Sequence, residues 1–519
     1  MSDALRQLWP IPQTWRWVTM GDISTVIGGG TPATNDPSNF GGAIPWITPA
    51  DLTHYTERRI RQGARSISEK GLANSGARWL PEGSVLFSSR APIGYTAIAA
   101  QNLTTNQGFK SFALYAGVFP DYVYHWLFSS KQLAESMASG TTFLELSGAK
   151  ASQIPMPLPP SREQDRIVAK LDELLSDLDA GVAELKAAQQ KLQRYRQSLL
   201  KAAVEGALTA EWRQKNPPTE TGAELLQRIL RERRAHWEEQ QLAKFAAQGK
   251  APPKGWKDKY PEPQPPKTEG LPELPEGWVW ASVEQATAEA LIGLDRGAEH
   301  QCKGGSGTLY LKMNNITLDG SILLDDLVRV DASASEIERF AALPGDILFN
   351  TRNSKELVGK AGLVQPHAEA LIFNNNLMRL RFVDAVTPSF GISTLCSPAF
   401  RVRMEGIKKA TTSVAAVYAR DLWPLAIAIP PLTEQRLICS LLEDQLQAID
   451  QQEALIRRMT RGLDAQRQNI LRAAFRGELV PQDPNDEPAS VLLARLRAER
   501  SGTKPAKTER KARKAKGAA

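Results

Sequence analysis

The stretch PPSREQDRIVAKL, residues 159–171, lies over PPLTEQRLICSLL, residues 430–442, at a constant offset of 271 positions. The register runs without a gap from 159–208 onto 430–479, where RQSLLKAAVEGAL lies over RQNILRAAFRGEL, and 17 of the 50 positions are identical, which marks an internal duplication. Each copy opens with a helix-start signature: a Pro-Pro pair, then Ser161 or Thr433, with Glu163 or Glu434 just inside. Each then repeats an apolar residue every seven positions. The first copy places Leu171, Leu178, Leu185, Leu192 and Leu199 in that register, and the second Leu442, Ile449, Ile456, Leu463 and Ile470. A heptad period sustained this long predicts a coiled-coil seam, because the stripe of a helix buried in a globular core drifts with the period of the α-helix. The companion positions are Leu175, Val182, Gln189 and Arg196 in one copy and Leu446, Glu453, Thr460 and Arg467 in the other. They are apolar only at the start, which suits a narrow seam with one partner helix, and each copy is the other's economical partner.

Weaker matches extend outward from the helices. PQTWRWV at 12–18 pairs with PEGWVWA at 275–281, so Trp15 and Trp17 correspond to Trp278 and Trp280. IPWITPADL (44–52) resembles TLYLKMNNI (308–316), and PEGSVLFSSR (81–90) resembles LPGDILFNTR (343–352). The chain therefore reads head, helix, head, helix. Both heads contain short apolar runs of strand character broken by Gly, Pro and Asn, such as SVLFSS, YTAIAA, FKSFALYA, DILFNT and LMRLRF. Each also carries one expected helix, DYVYHWLFSSKQLAESMAS or PSFGISTLCSPAFRVRMEG, so the class is α+β. The expected segments are a first head (1–158), a first helical region (159–213), a polar helix with a Pro-rich linker (214–274), a second head (275–428), a second helical region (429–481) and a short helix with a basic tail (482–519). The polar helix near 222–248 has a shorter cognate at 489–500, and eight prolines in 252–275 predict an extended linker.

A chain of 519 residues has room for two to four domains. Cys302, Cys396 and Cys439 lie far apart in sequence, which suggests neither a disulfide framework nor a metal knuckle. The start of the chain has no basic flank leading into an apolar core, and no apolar run approaches the ~20 residues of a membrane span, so a soluble cytoplasmic protein is expected. The net charge of +7 is concentrated at one end: residues 501–519 hold seven basic residues against Glu509, which is +6 of it. A tail of that composition is ordinarily a solvated arm, so the global charge says little about partners.

Enzyme motifs fail together. Gly28-Gly29-Gly30-Thr31 has neither phosphate-loop nor dinucleotide spacing and reads as a turn. Asn216-Pro217-Pro218-Thr219 imitates the motif with which amino-methyltransferases grip an amine, but has Thr where an aromatic residue must stack. The histidines at 54, 125, 236, 300 and 367 form no metal spacing. The heads carry instead paired polar clusters directly after short strands. Ser88-Ser89-Arg90 matches Asn350-Thr351-Arg352, followed by Asn353 and Lys355; Thr105-Asn106-Gln107 matches Asn374-Asn375-Asn376; and Gly140-Thr141-Thr142 matches Thr411-Thr412-Ser413, preceded by Lys408 and Lys409. Arg suits guanine, Asn and Gln suit adenine, and Thr, Ser and Lys grip phosphates. A single cluster of this kind is more often a solvated loop; recurrence in both heads is what favours a DNA-reading role. The Trp15/Trp278 and Trp46/Tyr310 pairs are expected to be core anchors. Glu163 to Gly206 makes a rod of roughly 65 Å at about 1.5 Å per residue, comparable with two ~34 Å turns of B-DNA.

The whole pattern resembles the specificity subunits of type I restriction-modification systems. The resemblance is carried by IPMPLPPSREQDRIVAKLD and LAIAIPPLTEQRLICSLLE, by the endings LLKAAVEGALT and ILRAAFRGELV, and by GGGTPATN with IPWITPADL. It implies two target-recognition domains alternating with two helical regions that form an antiparallel coiled coil with approximate two-fold symmetry. It also implies that each domain reads half of a bipartite double-stranded DNA site, while the helices set the spacer and dock two methyltransferase subunits. Two motor-nuclease subunits would complete the assembly, with S-adenosylmethionine, ATP and Mg on the partners and no cofactor, metal or catalytic residue on this chain. The second head lacks the GGGTP element, which leaves its first loop unassigned. A coiled-coil scaffold whose heads bind proteins is the alternative from another class.

Overall fold

The computed structural model describes residues 9–90, 92–140, 144–410 and 414–502. The chain folds into two compact units that are not consecutive halves: residues 1–185 join residues 457–519 in one, and residues 186–456 form the other. Each unit holds one head and one half of each long helix.

In the first unit, strand Arg16–Thr19 pairs antiparallel with Pro155–Leu158, bringing the two ends of the head together. Between them lies a five-stranded sheet in the order Ser24–Gly28, Lys110–Leu114, Val85–Ser89, Ile93–Ala99, Arg59–Ile60, and a three-stranded sheet of Arg65–Ile67, Phe40–Ile47 and Thr104–Thr105. The second unit repeats the plan. Val279–Ser282 pairs with Ala426–Ile429; Thr287–Ile292, Leu377–Phe382, Ile347–Asn350 and Ala361–Leu363 form the larger sheet; and Val328–Val330, Thr308–Leu311 and Leu371–Phe373 form the smaller one. Val85-Leu86-Phe87 and Ile347-Leu348-Phe349 are buried along their whole length. They read as continuous apolar runs because both faces of these central strands are covered. The helix expected in each head is broken in two, Pro120–Ser129 with Lys131–Met137 and Pro388–Cys396 with Pro398–Glu405. In the first, the Ser130 hydroxyl donates back to the Trp126 carbonyl at the break; in the second, Pro398 removes the amide that would continue the ladder.

The long helices run Ser161–Val204 and Leu432–Arg476. All the heptad residues named above and their companions are buried or half-buried, while most of the intervening positions are exposed. The helices pair antiparallel within each unit. In the second unit Arg196 pairs with Asp450, and Tyr195 Oη donates to Gln445 Oε1 at 3.1 Å. In the first, Arg467 pairs with Asp179. Arg196 and Arg467 occupy equivalent places in the duplication, and so do Asp179 and Asp450, so the two ion pairs are the same contact made once in each unit. The polar companion positions are thus part of the seam.

Glu163 and Glu434, each 1 % exposed, tie helix to head. The indole N–H of Trp15 donates to Glu163 Oε2 and that of Trp278 to Glu434 Oε2, both at 2.9 Å. Gln164 accepts from the Phe119 amide at 2.9 Å and Gln435 from the Thr387 amide at 3.0 Å, while their side-chain NH2 groups donate to the carbonyls of Pro159 and Pro430. Both tryptophans are the expected core anchors.

The helices that trail the coiled coil, Gly222–Ala247 and Ala489–Gly502, each complete a head core. Leu225, Leu226 and Ile229 pack into the second unit, and Leu492, Leu493 and Leu496 into the first. The Gly222 amide donates to the Gly277 carbonyl at 2.7 Å and the Ala489 amide to the Thr14 carbonyl at 2.9 Å, again at equivalent positions. Burying three such side chains is worth roughly 5–9 kcal/mol relative to exposure, comparable with the whole stability of a domain. Neither head is complete without the segment that follows the opposite helix. The Pro-rich stretch also departs from its expected open course. Trp256 stacks on Trp237 with centroids 5.8 Å apart, Tyr260 meets the same ring, and Pro263 is buried, so the linker folds back on the trailing helix.

Glu434 further accepts from Thr209 Oγ1 at 2.6 Å and from Arg213 Nε at 3.0 Å. Glu434→Ala strands these donors and the Trp278 indole in the core, and is expected to cost about 3–5 kcal/mol in urea unfolding of the full chain. Glu434→Gln keeps one acceptor oxygen and should lose less. A loss below about 1 kcal/mol for the alanine variant would remove the carboxylate from the framework.

Candidate nucleic-acid interface

The polar clusters converge at one end of each larger sheet. In the first head, Ser88–Arg90 ends the central strand. The Ser89 amide donates to the Gly108 carbonyl at 2.7 Å, bringing up Asn106-Gln107, and the Leu146 amide donates to the Ser89 carbonyl at 2.9 Å, bringing up the hairpin in which Ser139 faces Glu145. The second head repeats this with Thr351 to Asn376 at 2.9 Å, Val417 to Thr351 at 2.9 Å, and Lys409 facing Ala416. Ser88-Ser89-Arg90 lies over Asn350-Thr351-Arg352, as expected. Two other registers differ from the sequence match. Asn106 donates its amide to Ile47 and Asn374 its amide to Leu311, which places Asn106 over Asn374, Gln107 over Asn375 and Gly108 over Asn376, one residue from the sequence match. Ser139 over Lys409 likewise sets Gly140 over Ala410.

The first loop of the second head, unassigned from sequence, is Gly293-Leu294. Gly30 donates its amide to Thr105 and Leu294 its amide to Phe373, both at 2.9 Å. A Cβ on Gly29 would collide with the Asn106 carbonyl, and one on Gly293 with the Asn374 carbonyl, so glycine is required by close backbone approach. The missed signal was a single glycine after an apolar run. Trp46 Nε1 donates to the Gly30 carbonyl at 3.0 Å and Tyr310 Oη to the Leu294 carbonyl at 2.6 Å, so this buried pair anchors the loop from beneath.

Several side chains named as candidate DNA contacts are spent inside the heads. Ser88 donates to Pro92 and accepts from Tyr95; Ser89 donates to Gly108; both are fully buried. Thr105 is 1 % exposed. Asn350 donates to the carbonyls of Arg352 and Asn376 and accepts from Asn353, while Thr351 donates to Asn376. Asn374 is buried, and Lys408 pairs with Glu405 and donates to the Lys355 carbonyl at 3.0 Å. Strand-end residues alternate between core and rim, and the inward ones must satisfy their polar atoms locally. Ser88, Ser89, Thr105, Asn350, Thr351 and Lys408 are therefore framework, while the buried Asn374 keeps its Oδ1 without a partner among the described residues. Arg90, Asn106, Gln107, Arg352, Asn353, Lys355, Asn375, Asn376 and Lys409 are half-buried or exposed at the loop rim. Asn353 and Lys409 are partly engaged, the first with Asn350 and the Ser354 amide, the second with Asp421 at 3.1 Å. Thr141, Thr142, Thr411, Thr412 and Ser413 lie outside the described residues, as does most of the basic tail.

The rim also holds residues that the sequence did not single out. Thr31 Oγ1 donates to Gln107 Oε1, and Lys110 sits 3.7 Å from Glu145 and 3.4 Å from the Gln107 carbonyl. Asp346 is held by Arg381 through two bonds of 2.8 and 2.9 Å, so it is not a partner for Arg352. Among the described residues, neither Arg90 nor Arg352 takes an ion pair.

A family model for the type I restriction modification DNA specificity domain matches residues 12–187. The EcoKI specificity subunit of Escherichia coli K12 is 24 % identical over 527 residues, spanning 96 % of this chain and 98 % of its own. Over nearly its whole length the chain is therefore similar to type I restriction-modification specificity subunits. The MjaIX specificity subunit of Methanocaldococcus jannaschii is 42 % identical over 164 residues, covering 31 % of this chain and 38 % of its own length. A solved structure concerned with complex assembly and conformational transition of the type I R-M system aligns over 91 % of this chain and 100 % of its own with a TM-score of 0.58 at 18 % identity, which shows a common fold. Among the described residues no helix is long and apolar enough to cross a membrane.

For sequence-specific DNA recognition, the rim arginines are the sharpest candidates. Arg90→Ala or Arg352→Ala is expected to cost about 1–3 kcal/mol and relax one base pair of the recognised motif if the side chain forks onto guanine. A phosphate contact would instead weaken all sequences evenly and shallow the salt dependence by about one counterion. Methylation-sensitive long-read sequencing with salt-dependent binding separates the two. An unchanged motif and salt slope in both variants would exclude both arginines and leave Asn106, Gln107, Asn375 and Asn376.

Proposed function

We propose that this chain reads a bipartite DNA site for a type I restriction-modification complex and performs no chemistry itself. Each head takes one half-site. The observation that carries this reading is the repeated rim: in both heads the same backbone bonds gather the same loops at the end of the same strand, yet the side chains they present differ. A scaffold that binds one protein twice has no use for two different rims, so the scaffold alternative is not favoured.

The paired helices would set the spacer and dock two modification subunits, which would hold S-adenosylmethionine and methylate adenine N6 on both strands. Two motor-nuclease subunits using ATP and Mg would complete the restriction form. Exchange of residues 12–158 for the equivalent segment of a relative is expected to change one half-site and leave the other; a change in both, or in neither, would overturn the division of labour.

The seam gives a second test. Residues 161–185 pair with 457–476, and 186–204 with 432–456, so matched four-residue insertions after 185 and after 456 preserve both sets of contacts. They lengthen each helix by about 6 Å, and the spacer in the methylated motif should grow by roughly two base pairs, at ~3.4 Å each, with both half-sites intact. An unchanged spacer would show that the helices do not set it.

A further inference from the structure

A cavity of about 330 Å³ lies within the first unit, between the last turns of the second long helix and the broken helix of the head. Trp9, Trp126, Leu133 and Phe475 wall it, and Arg472 and Arg476 stand at its side. The aromatic wall is braced. Trp9 meets Trp17 edge-on at 5.1 Å and Trp126 meets Phe475 edge-on at 5.0 Å. Trp126 is 4 % exposed, yet its indole N–H has no acceptor among the described residues. A buried donor of this kind is ordinarily satisfied. Arg472 reaches only the Asn469 side chain, at 3.2 Å, and Arg476 lies over the Trp9 ring at 5.9 Å; neither meets a carboxylate among the described residues.

The equivalent place in the second unit is built differently. Trp280, the counterpart of Trp17, carries the Arg403 guanidinium over its ring at 5.6 Å, and Phe400 lies 5.9 Å from the same group. The long-helix residue equivalent to Arg476 is Glu205, whose charge favours the Arg403 cation, and the one equivalent to Phe475 is the smaller Val204. The second unit therefore covers its tryptophan with its own cation and acid, whereas the first covers Trp17 with Trp9 and Trp126 and leaves Arg472 and Arg476 beside the cavity with no acid among the described residues. The complement it lacks is an acid together with a flat apolar group.

We propose that this pocket docks a segment of a partner polypeptide that inserts an aromatic side chain flanked by carboxylates. The ring would lie against Trp126 and Phe475, a carbonyl or carboxylate oxygen would take the Trp126 N–H, and the acids would meet Arg472 and Arg476. Neither stretch of sequence at the two ends combines an aromatic residue with several acids: residues 501–519 are strongly basic, and residues 1–8 hold Asp3 and no aromatic residue. Since the second unit closes its own version, one copy of the partner segment binds per chain. The inference does not depend on which bases the rims read.

The full chain is titrated by calorimetry with acetyl-Glu-Phe-Glu-amide, acetyl-Lys-Phe-Lys-amide and acetyl-Glu-Ala-Glu-amide. The first is expected to bind at one site, at least tenfold more tightly than either of the others. Arg472→Glu with Arg476→Glu should abolish or invert the charge preference, and Trp126→Phe, which keeps an aromatic ring but removes the donor, should weaken binding several-fold. Absence of binding, equal binding of the acidic and basic peptides, two sites per chain, or binding indifferent to both sets of changes would each overturn the proposal. The DNA motif methylated by complexes carrying these variants should be that of the wild type. A changed motif with the peptide preference intact would count against the rim assignment and leave the pocket standing.

Discussion

A carboxylate buried in the first turn of each long helix is the group on which the two units depend. Removing such a charge from water costs several kcal/mol, and the cost is offset only when its oxygens are well satisfied. Here the donors come from segments remote in sequence. Glu163 receives Trp15 from the first strand of its head and Gln482 from beyond the second long helix; Glu434 receives Trp278, Thr209 and Arg213 from the corresponding places. Burial pushes the Glu163 carboxyl above its ordinary range, against the pull of the Trp15 and Gln482 bonds and the nearby Arg166. The neighbouring glutamine fixes the start of a head helix and the Pro-Pro turn. Head, long helix and trailing segment are thereby held by directional bonds, which specify orientation more sharply than apolar packing does.

The same economy explains the coiled coil. Its apolar stripe alone would tolerate a slide by one heptad, since leucine or isoleucine recurs every seven residues. The Arg196–Asp450 and Arg467–Asp179 pairs form in one antiparallel register only, and their arginines occupy companion positions where apolar residues would have given a greasier seam. Polar residues in a coiled-coil seam generally cost stability and fix register. Arg196 is well shielded, with its side chain 8 % exposed, but Asp450 is 60 % exposed, so the pair sets register more than it adds stability.

Sequence periodicity revealed the helices, their partnership and the alternation with heads, because a duplication preserves spacing even where identity falls. It did not reveal that each unit closes on a segment from the other side of the chain. That closure rests on Leu225 and Leu492 and on two backbone bonds, and short amphipathic helices carry no mark of where they dock. In the rims, the loops were legible and the orientation of their side chains was not. Ser88, Ser89, Asn350 and Thr351 look like readers by type, but the strand pleat turns them inward. The one-residue slip between Asn106 and Asn374 arose because the polar residues are similar on both sides, whereas the parallel pairings of Ile47 with Thr105 and Leu311 with Phe373 leave no freedom.

How two heads of so little mutual identity keep one rim follows from which atoms hold it. The loops are gathered by main-chain bonds, Gly30 to Thr105 and Leu294 to Phe373, Ser89 to Gly108 and Thr351 to Asn376, with a glycine wherever the backbones approach too closely for a Cβ. Bonds of this kind are indifferent to the side chains beside them. The largest side chains that support the rim act from below, and an indole in one head is replaced by a phenol in the other with the equivalent carbonyl as acceptor. Apart from Asn106 and Asn353, which accept from the Gly108 and Ser354 amides of their own loops at 2.9 Å, the residues pointing outward are consequently free to vary without loss of the loop geometry. A protein that must recognise different sequences with its two heads needs that separation, because a reader whose loops were held by its own reading side chains would lose its shape whenever its target changed.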